Sequence, residues 1–467
     1  MTAGPPAHLR VRLHPGVLVR DRGRLLCGGT PFRLIRLSAA GAAVVARWRL
    51  GGPVGVAPAD RVLASQLLDG GLLLTDPEPA SDVTGMTLVV PVRDRVHQVR
   101  RCLAALAKCH PGAQIVVVDD GSKCAEAVRA LATEHGAIVV RHDVSAGPGA
   151  ARNAGLAATR TELVAFIDSD VVVDAGCLPR LAAHFDDPAV GAAAPRVLAF
   201  APRATGLAGF ETDGSSLDMG RQPAAVGPGR WVPYVPSTAL VVRRIAVRDG
   251  YDESLRVGED VDLIWRMIDE GWRVAYDPVA TVRHDHRVQP RAFARRRLAY
   301  AHSVGPLARR HPAALPAVRL EPWSAAIVLL GVAGCPAAAV TLFGARVAVL
   351  RRRLRGRADR PTVLASELVG RATVGTAHGL GHAVRRVWSP LLLVAAPRSA
   401  LVRRSVLGAI GLRAIGPGRH ELRRLPFVLA DDALAAVGTW AGCATARTAR
   451  PLLPAGPRYR GQPQGSP

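Results

Sequence analysis

The sequence predicts an α/β protein: a mainly parallel sheet covered by helices on both faces, with a small unit ahead of it and a helical region behind. Three observations carry this. The apolar runs MTLVVPV (Met86 to Val92), QIVVVDDGS (Gln114 to Ser122) and LVAFIDSD (Leu163 to Asp170) have strand length. They alternate with segments of helical periodicity, and strands apolar on both faces need the cover that crossover helices give a parallel sheet. The runs also end in, or are followed directly by, carboxylates: Asp94, Asp119 with Asp120, and Asp168-Ser169-Asp170. Such sheets bind ligands at the carboxyl ends of their strands, so these carboxylates are expected along one rim.

Residues 8–76 read as a separate unit ending at the linker TDPEPASDVTG. Its extended stretches VRLHPGVLVRD and RLLCGG predict a hairpin around Asp21 to Gly23. Ser38 is placed to cap AAGAAVVARWRL, Asp60 opens a second helix, and Gly70-Gly71 ends it before LLLT. The catalytic-looking part spans residues 84–310. After MTLVVPV comes the helical HQVRRCLAALAKC; after QIVVVDDGS come a helix from Ala125 to His135 and a strand AIVVRHD. Further on, DLIWRMIDEG follows Gly258 as a helix stopped at Gly271.

Residues 320–450 read as helical. The mostly apolar run from Trp323 to Ala345 meets the ~20-residue length of a bilayer span, yet Gly331, Gly334 and Pro336 interrupt it. Arg309-Arg310 and Arg351 to Arg353 make both flanks positive, which leaves orientation open and suits a re-entrant hairpin or a helix lying on the bilayer. Val363 to Val384 and Val387 to Ile410 are amphipathic and studded with Arg, as an anionic membrane surface would favour. The other reading is a soluble, Ala-rich helical extension covering the sheet. The tail PAGPRYRGQPQGSP is expected to be disordered.

With 467 residues the chain has room for two or three domains. Its net charge of +24 is carried by Arg, Lys occurring only at Lys108 and Lys123. That field would attract anionic lipid, nucleotide sugar or nucleic acid. Aromatic residues make up only 4%, and no zinc-finger, RNA-recognition or helix-turn-helix pattern accompanies the charge, so nucleic acid is excluded as a partner. Cys27, Cys102, Cys109, Cys124, Cys177, Cys335 and Cys443 show neither CxxC nor zinc spacing and read as reduced thiols. No long apolar run opens the chain, so the catalytic part is expected inside the cell, at the cytoplasmic face of the membrane.

The acidic triplet at Asp168 to Asp170 carries the chemistry. Mg²⁺ and Mn²⁺ prefer hard oxygen ligands, and two carboxylates one residue apart at a strand end can approach a single ion or its water shell. Taken with VVPVRD, VVVDDGS, the glycine-rich GPGAARNAG (Gly147 to Gly155), AFIDSD and VGEDVDLIWR (Val257 to Arg266), in that order, the chain resembles the family 2 glycosyltransferases over about residues 86 to 300. The resemblance implies the GT-A nucleotide-sugar-binding fold. It also implies that Pro91, Asp94 and Asp120 line the nucleobase and ribose pocket with Asp119 nearby, and that Arg152 contacts the nucleotide sugar. Asp168 and Asp170 would carry Mg²⁺ or Mn²⁺ and the diphosphate of the donor.

Inverting transfer needs a base for the acceptor hydroxyl, and Asp260 is the first candidate, with Glu259 as substitute; Asp262 could instead orient the acceptor. Asp260 lies near a helix N-terminus, where the dipole is expected to favour its ionised form. In YDPVATVRHDHR, His284 and His286 share one face of an extended segment, and by the resemblance His284 matches a metal or diphosphate ligand. FARRRLAY lacks the Gln-x-x-Arg-Trp motif of processive synthases. Arg295, Arg296 and Arg297 there read as diphosphate contacts or as an exposed basic helix.

The N-terminal pattern of hairpin, helices and closing strand resembles the small winged-helix domain of PqqD-like peptide-recognition proteins, the alternative being a packing appendage to the sheet. Joined to a family 2 domain, and with the segments HPGVLVRDRGRLLCGGTPFRLIRLSAAGAAVV and VPYVPSTALVVRR, it resembles the glycosyltransferases of the actinobacterial mycofactocin system. That implies transfer of hexose, glucose from UDP-glucose above all, to the peptide-derived mycofactocin acceptor or its precursor, building an oligosaccharide. The alternatives are a membrane-associated polysaccharide or lipid-linked sugar transferase of family 2, and an inactive nucleotide- or peptide-binding scaffold.

Overall fold

The computed structural model describes residues 4–80, 83–200, 206–285, 289–414 and 421–456. The chain forms two compact units: one comprises residues 1–19 and 26–286, the other residues 20–25 and 287–467.

The first unit is organised by a nine-stranded sheet. Its strands are β1 (Met86–Val92), β2 (Gln114–Asp120), β3 (Ile138–His142), β4 (Leu163–Ile167), β5 (Val171–Val173), β6 (Val190–Ala199), β7 (Ala224–Ala225), β8 (Ala239–Arg243) and β9 (Arg273–His284). They run in the order β5-β9-β6-β8-β4-β1-β2-β3, with β7 pairing to β9. The segment β3-β2-β1-β4 is parallel throughout, which puts four carboxyl ends on one rim. Strand β8 is antiparallel to both β4 and β6. It is the one antiparallel strand inside an otherwise parallel centre, and the sequence periodicity had not singled it out.

The helices that return the parallel strands are α1 (Val96–Cys109), α2 (Ala125–Glu134) and α3 (Pro148–Ala157). In α1, Val99, Cys102, Leu103 and Leu106 recur at helical spacing and are fully buried against Leu88, Val90 and Val117 of the sheet core. Fully burying one such aliphatic side chain contributes about 1.5–3 kcal/mol. Helix α3 comes close to β1 and β2 because Gly155 carries no side chain: a Cβ there would collide with Val89 and meet Val118.

Ahead of this sheet, Arg10–Leu13 pairs antiparallel with Gly52–Pro53 and Leu73–Thr75, while Leu18–Arg20, Leu25–Gly28 and Arg33–Arg36 make a second sheet. A short 3-10 turn at Asp21–Gly23 occupies the place expected for the hairpin loop. Ser38 caps the helix Ala39–Trp48, its Oγ accepting from the Gly41 amide at 3.0 Å. Asp60 lies in the first turn of the second helix, Pro58–Asp69, whose N-cap position is held by Ala57 ahead of Pro58, and it accepts from Arg47 at 2.8 Å. Leu9, Val11, Leu26, Trp48, Leu67, Leu72 and Leu73 form the core of this segment. Its end is tied to the sheet by Thr75 Oγ1 to His184 Nδ1 at 2.6 Å, and by Arg273, which bridges Asp69 and Asp187 at 2.7 Å each.

The second unit is helical: α5 (Pro290–His302), α6 (Val304–Arg310), α7 (Pro322–Ala333), α8 (Pro336–Leu354), α9 (Pro361–Arg386), α10 (Ser389–Ala395), α11 (Ala400–Ala414) and α12 (Glu421–Thr445). The apolar run from Trp323 to Ala345 is not one helix. It breaks between α7 and α8, where Gly334 takes φ +87° and Pro336 starts the next helix, as the interruptions in the sequence predict. Among the described residues, Arg424–Thr445 within α12 is the one stretch long and apolar enough to cross a membrane. Its middle carries Asp431 and Asp432, both buried and paired with Arg297, Arg385 and Arg386 of α5 and α9. Those pairs make α12 a packed element of the bundle. Arg297 is therefore a buried structural partner of Asp431 and not part of an exposed basic face.

Candidate active site

The rim at the carboxyl ends of β1, β2 and β4 gathers the carboxylates that the sequence places there. Asp94 follows β1 in a left-handed conformation, φ 59°, that Asp tolerates better than most residues. Its amide donates to Ser122 Oγ at 2.7 Å, and its Oδ1 accepts from the Lys123 amide at 2.8 Å, the main reason its carboxyl lies below the usual range. Pro91 stands in β1 beside Val118 of β2. Asp119 is buried, accepts from the Ser122 amide at 2.9 Å and pairs with Arg141.

Asp120 is the most heavily used of the group. One oxygen bonds His142 Nδ1 at 2.9 Å and the Ala146 amide at 2.8 Å; the other accepts from Ser145 Oγ at 2.7 Å and the Gly147 amide at 3.0 Å. Burial acts to raise its pKa, but these bonds more than offset it and leave the carboxyl below its ordinary value. Asp120 thus builds the turn that launches α3.

Arg152, on α3, is buried and joins two other parts of the site. Its Nη2 donates to Asp168 Oδ1 at 2.8 Å and its Nη1 to Glu259 Oε1 at 2.9 Å. Its guanidinium also lies over the Tyr251 ring, 5.3 Å from the centroid. Tyr251 is held edge-on by Phe166 and bonds Ser237 Oγ through its hydroxyl at 2.9 Å. Asp168 and Asp170 follow β4. Asp170 pairs with Arg95, and its Oδ1 lies 3.5 Å from Nε2 of His284, the last residue of β9. His286 falls outside the described residues.

Glu259 and Asp260 open α4 (Glu259–Asp269), after Gly258 at φ +87°. Asp260 accepts from the Val261 amide at 2.8 Å and from the Ser237 amide at 3.4 Å. The sequence leads one to expect that the helix terminus favours the ionised form of Asp260, and burial works against it. Burial pushes Glu259 up to about 7, with Asp260 adding to the shift and Arg152 opposing it. Burial also raises Asp260, against Arg152 and the two amides. Burial is the largest cause of both shifts and outweighs the opposing charge of Arg152. Asp262, the residue read as able to orient the acceptor, is buried and accepts from Arg266 at 2.8 Å.

The Glycosyl transferase family 2 profile matches residues 87–207, and the Glycosyl transferase family group 2 profile matches residues 163–395. The chain belongs to glycosyl transferase family 2. A relative from Mycobacterium tuberculosis named pre-mycofactocin glycosyltransferase is 41% identical over 313 residues, covering 66% of this chain and 64% of that protein. The chain thus spans a little under two thirds of that relative's length. The succinoglycan biosynthesis protein ExoU of Rhizobium meliloti is 29% identical over 213 residues, 42% of this chain and 60% of that protein. Among solved structures, the mannosyltransferase PcManGT from Pyrobaculum calidifontis, in complex with GDP-Man and Mn²⁺, aligns at a TM-score of 0.45 with 18% identity. That alignment covers 78% of this chain and 90% of the other. The family match and the sheet described above make this a GT-A-like α/β glycosyltransferase fold.

In this family 2 chain the donor set at the rim suits a cation that arrives with its substrate. Mg²⁺ is commonly held by one or two carboxylates plus substrate phosphates, and Asp168 and Asp170, with His284 3.5 Å from Asp170, are the residues here that could hold such an ion. Among the described residues, no three His, Cys, Asp or Glu side chains gather closely enough to hold an ion by themselves. The sequence reading passed over Arg95, Ser237 and Tyr251. Arg95 sits directly after Asp94 in the motif VVPVRDR, and its charge beside a carboxylate-rich rim was the available signal. Ser237 and Tyr251 come from a segment with no periodicity, and only the fold brings them to Asp260 and Arg152.

Proposed function

We propose that this chain is an inverting hexosyltransferase that moves glucose from UDP-glucose to the peptide-derived redox cofactor mycofactocin, or to its precursor, building an oligosaccharide. The observation that carries this reading is the 41% identity to the pre-mycofactocin glycosyltransferase. The enzyme depends on Mg²⁺ or Mn²⁺, held at Asp168, Asp170 and His284.

In the proposed reaction the acceptor hydroxyl attacks the anomeric carbon from the face opposite the diphosphate. Its proton passes to the Asp260 carboxylate, the new C–O bond forms, and the bond to the diphosphate oxygen breaks with its electron pair leaving on the diphosphate. When bound, the cation neutralises charge on that leaving group. Burial raises the Asp260 carboxyl, and a carboxylate of raised pKa is a stronger proton acceptor than an ordinary aspartate. Arg152 holds Asp168 and Glu259 at fixed distance, so the donor side and the base helix are positioned together. Pro91, Asp94, Asp119 and Asp120 shape the nucleoside end.

The N-terminal segment, residues 8–76, is read as a PqqD-like unit that captures the peptide-derived acceptor, and residues 84–310 as the catalytic domain. Residues 320–450 are read as a helical region that rests on the cytoplasmic face of the membrane. Support for that last reading comes from α10 and α11, where Leu391, Leu393, Val394, Leu401 and Leu407 are exposed among Arg398, Arg403 and Arg404.

Mass spectrometry of the acceptor after incubation with UDP-glucose and Mg²⁺ or Mn²⁺ tests the proposal. Successive hexose increments on the peptide-derived core support it. Transfer to a lipid-linked or polysaccharide acceptor, with none to the core, would replace it.

A further inference from the structure

Both carboxylates assigned to the cation are neutralised by arginine, and the two arginines differ in their freedom to move. Arg152 is fixed: its side chain is 6% exposed, it bonds Asp168 and Glu259, and it lies over Tyr251. Arg95 has 30% of its side chain exposed, and among the described residues its guanidinium pairs with Asp170 alone. Its backbone, by contrast, is anchored. Asp94 and Arg95 take consecutive left-handed conformations, φ 59° and 58°, and Asp94 is pinned by Ser122 and Lys123. The Arg95 carbonyl also accepts from the Gln98 and Val99 amides at the start of α1. A left-handed non-glycine residue persists only where its surroundings hold it, and here they hold an arginine at the mouth of the rim.

We propose that Arg95 is a resident counter-ion of Asp170 that a divalent cation must displace, so that cation and nucleotide diphosphate bind as a pair. Resting on the metal reading of the rim, this assigns Arg95 a positioning role that the family resemblance does not supply. While the guanidinium neutralises Asp170, an incoming cation finds its Oδ2 already occupied and meets a like charge beside it. A diphosphate gives Arg95 an alternative partner, to which guanidinium groups bind in a bidentate manner. Moving Arg95 from Asp170 to the diphosphate frees the carboxylate as the phosphate oxygens arrive to complete the ion's shell. By linkage, UDP raises cation affinity and the cation raises UDP affinity by the same factor.

The test is Mn²⁺ binding to the full chain, followed by the electron paramagnetic resonance signal of free Mn²⁺, with and without UDP. It is run on the native protein, Arg95→Gln, Arg95→Lys and Asp170→Asn, each checked for an unchanged circular dichroism spectrum. The expected result is weak binding by the native protein alone and strong enhancement by UDP. Arg95→Gln should bind Mn²⁺ without UDP roughly tenfold more tightly than the native protein, the scale of a competing, partly buried ion pair. Arg95→Lys should stay close to native, and Asp170→Asn should lose the enhancement. Equal Mn²⁺ affinity of native protein and Arg95→Gln without UDP overturns the counter-ion role while leaving the metal site standing. No Mn²⁺ binding by any form, with UDP binding demonstrated, removes the metal reading and this inference together.

Discussion

Arg152 Nη1 lies 2.9 Å from Glu259 Oε1, joining the glycine-rich helix α3 to the helix that carries Asp260. This bond sets how the two halves of the site respond to mutation and to pH. Replacing Arg152 with Met should leave Glu259 and Asp168 without their cation. Breaking a buried pair in this way costs about 3–5 kcal/mol. Because Glu259 can take up a proton near pH 7, the loss should be smaller at pH 6 than at pH 8. Urea unfolding at the two pH values measures it; an equal loss at both would show that Glu259 is not the affected partner.

Glu259 also makes a prediction for the native protein. Its folded pKa of about 7 stands above the ordinary 4.5, so the folded state holds the proton more tightly than the unfolded one. The stability this contributes is fully present below about 4.5 and is lost as pH rises through about 7. Glu259→Gln should flatten that decline. Chemical denaturation across the window in both proteins checks it, and parallel pH profiles would contradict the shift.

The transfer rate should show an acid limb above the pH at which an ordinary aspartate, of pKa about 3.9, titrates. Burial raises Asp260, and Asp260 and Glu259 titrate as an interacting pair, so the limb reports the pair. Rates measured against pH at saturating donor and Mn²⁺ test this. A limb below pH 4 would mean that neither residue is the base.

Gly155 gives a packing test away from the chemistry. In Gly155→Ala the new Cβ would run into Val89 and meet Val118, so α3 must move off β1 and β2. Overpacking of this kind costs about 1–3 kcal/mol. A lowered thermal midpoint is expected, with a parallel loss of nucleotide affinity because Gly147 and Arg152 shift with the helix. An unchanged midpoint would mean that the close approach is not required.

Leu391→Asp with Leu393→Asp should abolish co-sedimentation with vesicles of anionic lipid while leaving the fold intact, since no residue of α10 is buried. Binding to neutral vesicles should be weak in both proteins. Equal co-sedimentation of the native and altered chains with anionic vesicles would remove α10 from the proposed membrane face.

How far the sequence could be read depended on the range of the interactions. Strands β1, β2 and β4 were legible because each is a short run apolar on both faces, and the rim carboxylates followed from where those runs end. The split at Gly334 and Pro336 was legible for the same local reason. Strand β8 was not, since nothing in ALVVR distinguishes an antiparallel strand from a parallel one. Charge pairing was hidden too. Arg152 with Glu259, and Arg385 and Arg386 with Asp431 and Asp432, join residues distant in sequence, and no spacing rule connects them. The upward shift of the Asp260 carboxyl was hidden because a helix terminus is visible in sequence and the burial opposing it is not.

The most direct test of the central claim compares native protein with Asp260→Asn in one reaction containing UDP-glucose, Mn²⁺ and the peptide-derived mycofactocin core, read by mass spectrometry alongside UDP-glucose binding. The account predicts a ladder of hexose additions from the native protein. It predicts none from the variant, with donor binding retained. A ladder of equal length and rate from Asp260→Asn would contradict the assignment of the base and with it the mechanism proposed for this fold.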